Sequence, residues 1–391
     1  MVDRFIALPV GRGDAFYLEK EGFHILVDGG QSAIRISGLL NKYALPEKLD
    51  VLVCTHNDSD HANGVQGLLE NWEGKIEEVW IPGSWASQFK TMLRDPNHFW
   101  HEIYYEIRDN PECRSLGDYL ETHREEHQLE PNNNVTDQSS MDGDAGEWFH
   151  SILKDGPGNE TGDHDRDVFP LWASEMEGRH WPIFEHPYWP SCPQYKLFIE
   201  CLNAGNRIIK IVEAALDRGC RIRVFEFVKD GNLSRGGECG KLEPLNSREI
   251  FPIAKRMSPM MYLALIKANR ESLVFHSPCN DPSNSFSVLF SADSDLGFGL
   301  KSTNSPQGVV IATAPHHGSE ANANAYTEVN AWATKNTIFW IRSDSRSKTR
   351  PGGTYKAQPN RFCTLCNNGG HKKEILLTAP VSSSGSMCAC R

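Results

Sequence analysis

The feature that most constrains the fold is a short apolar run that ends in a cluster of histidine and aspartate. Residues 50–55 read Asp-Val-Leu-Val-Cys-Thr, and residues 56–61 follow as His-Asn-Asp-Ser-Asp-His. A short, continuous apolar run is typical of a strand that is buried on both faces, as in a sheet covered by helices. The sequence therefore predicts an α/β fold in which this strand delivers the polar cluster at its C-terminal end.

The spacing within this cluster predicts a site for two metal ions. In an extended segment, residues at i, i+2 and i+4 point to the same side, so His56, Asp58 and Asp60 can converge while His61 faces a neighbouring position. Imidazole nitrogens and carboxylate oxygens are suitable ligands for zinc, and a larger share of oxygen favours manganese or another hard metal. We therefore expect two divalent cations, Zn²⁺ or Mn²⁺.

Further predicted strands also end in polar residues that could join the cluster. The apolar runs lie at 5–10, 15–18, 24–27, 261–266, 272–275, 286–291, 308–313 and 337–341. Asp293 follows the run 286–291, and His316 and His317 follow the run 308–313. Because α/β proteins place ligands at strand ends, we expect Asp293 to bridge both metals and one of the two histidines to complete the second site.

The distribution of strand-like runs and charged residues predicts that the chain has four parts. Residues 1–90 and 258–342 carry the strand pattern, residues 91–257 form an insertion, and residues 343–391 form a C-terminal extension that contains basic residues and cysteines. Between positions 101 and 186, acidic residues outnumber basic ones by about three to one. This composition predicts a partly helical and partly flexible segment, through which a protein partner could bind.

Composition narrows the class of protein. The formal net charge of −11 argues against a protein that coats DNA, because non-specific binding to nucleic acid depends on Lys and Arg neutralising phosphates. No apolar run has the length of a membrane span, and the first residues lack the apolar region of a secretory signal. The cysteines are scattered, as is typical of reduced thiols. We expect a cytoplasmic protein without a membrane segment.

Six short motifs, in the same order along the chain, carry a resemblance to a known family. They are Val10-Gly11-Arg12-Gly13-Asp14, Asp28-Gly29-Gly30, the cluster from His56 to His61, Asn269-Arg270-Glu271-Ser272-Leu273-Val274, Ala292-Asp293, and His316-His317-Gly318-Ser319. The chain resembles the metallo-β-lactamase superfamily, and within it the soluble metallohydrolase domain of ComEC-type DNA-uptake proteins and their stand-alone relatives. The resemblance covers roughly the strand-rich ranges, 5–84 and 260–342.

The resemblance implies a four-layer αββα sandwich with a large acidic insertion, and it implies a role for each motif residue. His56 and Asp58 would bind the first metal, Asp60 and His61 the second, Asp293 both, and either His316 or His317 the second, while Asp14 and Asp28 would support the ligands. Asp60 and Asp293 would be the catalytic residues.

The chain departs from the family pattern in three places. Asp58 replaces the histidine that is more usual in the superfamily, a change that the ComEC-like branch shares. The family has a further histidine ligand between the cluster and Asp293, but no histidine of this chain is clearly placed for that role, and Ser84 and Trp85 occupy the expected region. Arg350-Pro351-Gly352 stands roughly where the family has Gly-His-Pro. We therefore expect the first metal position to have fewer ligands than the second.

The predicted function is a metal-dependent hydrolase, and most specifically a phosphodiesterase or nuclease. A metal-activated hydroxide is a strong nucleophile near neutral pH, and Asp60 or Asp293 could orient it and accept its proton. The basic segment from Arg342 to Lys373 could follow a nucleic-acid backbone, although a solvated basic tail would have the same composition.

Two alternatives remain open from the sequence. The fold also supports hydrolysis of lactones, thioesters and β-lactams, and a fold alone does not select the substrate. The missing ligand instead favours a weakly catalytic protein that binds a partner and holds structural metals.

A second, smaller metal site is also conceivable near the C-terminus. Cys363 and Cys366 have the spacing of half a structural zinc site, and His371, Cys388 and Cys390 could supply the other half. Ordinary thiols are the alternative explanation of this pattern.

Overall fold

The computed structural model describes residues 3–43, 45–123, 144–154, 193–255, 257–267, 269–282, 285–300, 305–344, 350–365 and 373–379. The chain forms two compact units. The sandwich unit comprises Met1–Gly83, Glu213–Ile250 and Asn269–Arg391, and the helical unit comprises Ser84–Val212 and Phe251–Ala268.

The sandwich unit contains a larger sheet that is mixed in direction. Its strands are β1 (Arg4–Ala7), β2 (Phe16–Lys20), β3 (Phe23–Val27), β4 (Lys48–Val53), β5 (Lys75–Pro82), β6 (Arg221–Phe227), β8 (Ser247–Ile250) and β14 (Ile375–Thr378), in the order β14-β1-β2-β3-β4-β5-β6-β8. The run from β3 to β6 is parallel, so these strands end at the same edge.

The second sheet of this unit is smaller. Its strands are β7 (Glu243–Pro244), β9 (Phe275–Ser277), β10 (Ser287–Phe290), β11 (Val310–Thr313), β12 (Ile338–Arg342) and β13 (Arg361–Cys363), in the order β13-β12-β11-β10-β9-β7. Strands β10 to β13 are parallel, and their carboxyl ends also share one edge.

The helices of the described residues belong mainly to the connections between strands. They are α1 (Arg35–Lys42), α2 (Ser59–Asn71), α3 (Ala86–Arg94), α4 (Pro96–Asp109), α5 (Leu116–Thr122), α6 (Ala145–Lys154), α7 (Pro193–Asp217), α8 (Pro259–Ile266), α9 (Ala323–Trp332) and α10 (Gly353–Ala357). Helices α3 to α6 and α8 lie in the helical unit. None of these helices combines the length and the apolar character that crossing a membrane requires.

Alternating side chains explain why the two sheets stack. Phe16 and Val27 of the larger sheet share one core with Phe290 and Ile341 of the smaller sheet. The residues between them point the other way, and Trp340 packs in a second core with side chains of α9. The larger sheet is also buried on its outer side, and α1 packs against α2. The predicted αββα metallo-β-lactamase sandwich is confirmed.

One predicted strand is a helix. The run 261–266 lies in α8, where every residue but one is buried, so the apolar pattern carries no period that separates helix from strand. The sequence features that distinguish a helix from a strand here lie at the start of the helix. Ser258 caps it by accepting a hydrogen bond from the Met261 N–H at 3.2 Å, and Pro259 occupies the first turn.

The ranges predicted as insertion and extension contribute strands to both sheets. Strands β6, β7 and β8 fall within 91–257, and β13 and β14 fall within 343–391. Strands β7, β8, β13 and β14 are short and lie at sheet edges, so they carry little periodicity of their own. Strand β6 lies inside the larger sheet, in an apolar run that suits a strand or a helix equally. Much of the predicted acidic stretch, at 124–143 and 155–192, lies outside the described residues.

Close packing between Gly29 and Gly64 fixes α2, the helix that carries part of the polar cluster. A Cβ atom on Gly64 would lie 1.9 Å from the Gly29 carbonyl oxygen, so Gly64→Ala should lower the free energy of unfolding by about 1–3 kcal/mol. Gly38→Ala, in α1, is the matched control because its Cβ would meet nothing within 4 Å. Urea unfolding of both variants tests this, and equal midpoints would contradict it.

Candidate metal centre

The predicted site residues that follow strands meet at the shared carboxyl edge of the parallel strands. Asp28 follows β3, His56 follows β4, Asp293 follows β10, and His316 follows β11. Asp14 joins them from the turn between β1 and β2, where its N–H donates to the Asp60 carbonyl at 3.2 Å. Parallel pairing thus brings together residues that are far apart in the sequence.

Four side chains surround the second predicted metal position. The His61 Nε2 atom lies 3.2 Å from His317 Nε2 and 3.2 Å from Asp293 Oδ1. His317 Nε2 lies 3.6 Å from Asp293 Oδ1 and 3.4 Å from Asp60 Oδ2. A tetrahedral ion with bonds of about 2.0–2.1 Å places its ligand atoms about 3.3–3.4 Å apart. The atoms of His61, His317 and Asp293 therefore have the spacing of a ligand set, and Asp60 adjoins this set through its contact with His317.

Two buried carboxylates orient the histidine rings of this position. Asp28 Oδ2 lies 2.8 Å from His61 Nδ1, and the same carboxylate accepts from the Thr55 N–H at 2.9 Å and the Thr55 hydroxyl at 2.8 Å. Asp14 Oδ2 lies 3.1 Å from His317 Nδ1. A proton held on Nδ1 leaves the lone pair of Nε2 directed into the site.

The first predicted position has fewer side chains. Ligand atoms of His56, Asp58 and Asp293 lie within 4.8 Å of one another, and His56 Nε2 is 3.8 Å from Asp293 Oδ2. His56 Nε2 is buried and makes no hydrogen bond within the described chain. A buried imidazole nitrogen without a hydrogen-bond partner destabilises a protein that has no metal bound. Such a nitrogen is therefore well suited to be a metal ligand. Asp293 is common to both groups and presents a different oxygen to each.

The electrostatics of the second position call for added positive charge. Burial lowers the pKa of His61, but the carboxylates of Asp293 and Asp28 outweigh it and raise that pKa well above its ordinary value. Burial likewise opposes protonation of His317, yet Asp14 and Asp293 raise its pKa to about 10. Burial raises the pKa of Asp293, while His317 and His61 bring it well below its usual range. The cluster of buried carboxylates therefore fits a divalent cation.

The two adjacent histidines have different surroundings. Both have left-handed backbone angles, with φ of 46° at His316 and 53° at His317, which turns their rings apart. His317 Nε2 faces His61, whereas His316 Nε2 lies 2.6 Å from Arg350 Nη2 and 3.4 Å from Asn269 Nδ2. The structure thus places His317, and not His316, in the group that could hold a metal at this position, which consists of Asp14, His61, Asp293 and His317.

Arg350 and Asn269 are residues of the site that sequence reasoning did not assign. Both stand in motifs that the sequence already singles out, Asn269 at the start of the Asn-x-x-Ser element and Arg350 in place of the family histidine. The position of these two residues within those motifs is the sequence signal that could have assigned them to the site. Ser84 and Trp85, which occupy the region of the missing ligand, belong to the helical unit, where Trp85 is fully buried.

Two further predictions concern the C-terminal segment. Arg342 does not contribute to a basic surface, because it is fully buried and donates through Nε to the His317 carbonyl at 2.7 Å. Cys363 is also fully buried, and its sulfur accepts from Arg342 Nη1 at 3.5 Å. Cys366, His371, Cys388 and Cys390 lie outside the described residues, so the structural zinc site stays a prediction.

Comparison with known proteins identifies the class to which this fold and site correspond. The family model described as metallo-beta-lactamase superfamily matches residues 8–188, which confirms the superfamily predicted from the sequence. This superfamily is one of metal-dependent hydrolases, and the His and Asp groups of the site could bind metal. The finer resemblance to ComEC-type proteins stays a prediction.

Curated relatives match only short stretches. Exodeoxyribonuclease WalJ of Streptococcus pneumoniae is 44% identical over 61 residues, which are 15% of this chain and 23% of WalJ. Microtubule-associated protein 1A of Homo sapiens and of Rattus norvegicus is 34% identical over 76 residues, 19% of this chain and 3% of that protein. The chain therefore matches well under two thirds of the length of these relatives.

The unequal ligand groups predict unequal metal binding. Titrating Zn²⁺ into chelator-treated protein should show two ions per chain, one bound more tightly. His317→Ala should weaken the tighter ion by more than about a hundredfold, while His56→Ala should weaken only the other ion. His98→Ala, an exposed histidine of α4, is the control. Identical effects of the two site variants would show that the positions are not distinct.

The hydrogen bonds of Asp28 predict a supporting role in metal affinity. Asp28→Asn keeps the size of the side chain but removes the negative charge beside His61, so metal affinity should fall about 10–100-fold. Asp50→Asn is a matched control, because Asp50 accepts from the backbone N–H of His24 and lies outside both metal groups. Calorimetric titration measures both variants, and unchanged affinity in Asp28→Asn would exclude this role.

Proposed function

We propose that this chain is a metal-dependent phosphodiesterase, with nucleic acid as its most fitting class of substrate, and that it works with two divalent cations, Zn²⁺ or Mn²⁺. One observation carries the proposal. Two groups of potential ligands share the single carboxylate of Asp293, and its Oδ1 and Oδ2 atoms face different groups. When bound by these two groups, the cations would supply Lewis acidity and an activated water for hydrolysis of a phosphodiester.

The two predicted catalytic carboxylates differ in their access to water. The side chain of Asp293 is 2% exposed, whereas that of Asp60 is 14% exposed. We assign Asp60 the task of orienting the attacking water and accepting its proton, and Asp293 the task of holding the two ligand groups together. The hydrogen bond from Asp28 fixes the tautomer of His61, and the Asp14 carboxylate lies 3.1 Å from His317 Nδ1, so that both rings are oriented before substrate binds.

The comparisons support this choice of substrate only in part. WalJ is named as an exodeoxyribonuclease, and an exonuclease acts on phosphodiester bonds. No observation in the site favours a lactone, thioester or β-lactam over a phosphodiester. The cytoplasmic location, and a protein partner for the acidic segment, remain parts of the proposal that rest on sequence composition.

The match to microtubule-associated protein 1A supports a second candidate function, the binding of a protein partner. That protein is named for association with microtubules and not for an enzymatic activity. A weakly catalytic, partner-binding chain with structural metals would bind both ions as described here and turn over no substrate. Metal content and turnover must therefore be measured on the same samples.

The test is hydrolysis of bis-p-nitrophenyl phosphate, single-stranded DNA and a lactone panel, with added Zn²⁺ or Mn²⁺. We expect turnover of the phosphodiesters, and the double variant Asp60→Ala, His61→Ala should lose at least about a hundredfold of it. The control double variant, His98→Ala with Glu102→Ala, removes an exposed pair of α4 and should retain full turnover.

Three outcomes would contradict the proposal. Equal turnover in the wild type and the site variant would mean that the cluster is not the active site. Hydrolysis of lactones alone would point to a carbonyl hydrolase. Two bound ions without any turnover would favour the partner-binding function.

A further inference from the structure

The guanidinium of Arg350 lies at the metal centre, although it belongs to no metal-ligand group. Its Nη2 atom is 2.6 Å from His316 Nε2, which in turn is 3.5 Å from Asp293 Oδ2. Arg350 is half-buried, and none of the carboxylates in the described ranges forms an ion pair with it. The guanidinium is therefore linked through His316 to the Asp293 oxygen that faces the first position.

The hydrogen bonds around His316 define its tautomer. Asn322 Nδ2 donates to the Asp293 carbonyl at 3.0 Å, which directs the Asn322 Oδ1 atom toward His316 Nδ1 at 3.0 Å. Because an amide oxygen can only accept, His316 Nδ1 must carry the proton, and Nε2 is the acceptor. Arg350 therefore donates to a neutral imidazole, and among the described residues no carboxylate pairs with its guanidinium.

The segment that carries Arg350 is attached to the turn of the histidine pair. The Gly352 N–H donates to the Gly318 carbonyl at 2.8 Å. The Glu320 carboxylate accepts from the Thr354 N–H at 2.9 Å and from the Thr354 hydroxyl at 2.6 Å. These bonds attach the backbone that follows Arg350 to the backbone that follows the histidine pair, which helps to place the guanidinium relative to Asp293.

We propose that Arg350 binds a non-bridging phosphate oxygen of the substrate, and that His316 holds the guanidinium in place and is not a metal ligand. Arginine has five N–H donors in a planar fork, and the bond to His316 uses one of them, which leaves paired donors for a phosphate. The inference rests on the proposed function, since it names the group that would recognise the anionic phosphate.

The same arrangement bears on substrate selection. The Arg350 guanidinium, which has no carboxylate partner among the described residues, favours an anionic phosphodiester over a neutral lactone. It can form a charge-assisted hydrogen bond with a phosphate oxygen of the phosphodiester, and the neutral lactone carries no such charge. His316 is thus a positioning residue in this proposal. The rival assignment, in which His316 Nε2 completes the first metal position, predicts a loss of metal when His316 is removed.

The experiment measures binding of inorganic phosphate to the zinc-loaded chain by calorimetry, which requires no turnover. Arg350→Met should keep two bound ions and raise the dissociation constant of phosphate about 10–100-fold. Arg350→Lys should have a dissociation constant between those of the wild type and Arg350→Met. Arg221→Met is the matched control, because Arg221 is 63% exposed and pairs with Glu78. It should bind phosphate as the wild type does.

The His316 variants separate the two assignments. His316→Ala should weaken phosphate binding without loss of metal, and His316→Gln, which retains an acceptor, should restore part of the phosphate affinity. Unchanged phosphate binding in Arg350→Met would overturn the inference, and so would loss of an ion in His316→Ala.

Kinetics distinguish this inference from the proposed function. If the chain hydrolyses phosphodiesters, Arg350→Met should raise KM for bis-p-nitrophenyl phosphate more than it lowers kcat. If no phosphodiester is hydrolysed but phosphate binding still depends on Arg350, the phosphodiesterase fails while the anion site stands.

Discussion

The carboxylate of Asp293 is the interaction on which the rest of the site depends. It is almost wholly buried, it faces His56 through one oxygen and His61 through the other, and its backbone carbonyl is held by Asn322. A buried carboxylate is stable only when positive charge or hydrogen-bond donors surround it. The imidazoles collected at this edge of the sheets surround it, and a divalent cation bound between them and the carboxylate would supply the positive charge.

A second network, made of hydrogen bonds, holds the chain segments around the site in fixed positions. Buried Arg342, at the end of β12, donates to the His317 carbonyl at 2.7 Å and to Asp344 Oδ2 at 3.2 Å. Asp344 Oδ1 accepts from the Gly13 N–H at 3.0 Å, beside Asp14. The segments that carry Asp14 and His317 are therefore joined through the side chains of Arg342 and Asp344, which are not themselves metal-group residues.

Much of the site could be predicted from the sequence, because strand ends and short polar motifs are local features. His56, Asp58, His61, Asp293 and His317 fall into the two groups that could hold a metal, and the sandwich is the predicted one. Asp60 does not converge with His56 and Asp58 as an extended segment would require, because it stands in the first turn of α2 and lies 3.4 Å from His317 Nε2. Which histidine of the pair joins the metal group could not be predicted, since it depends on two left-handed residues and on Arg350. The helix at 259–266 escaped detection because burial on all sides removes periodicity.

The order of strands in the larger sheet has a consequence for folding. Strand β14 pairs with β1 at the sheet edge, with Thr378 opposite Arg4, so these partners are separated by almost the whole described chain. Contacts between such distant residues form late and slow the folding of a domain, because closing a long loop costs entropy before the pairing stabilises it. During synthesis β1 therefore leaves the ribosome long before its outer neighbour exists, and that edge stays open to other strands until the C-terminal segment arrives.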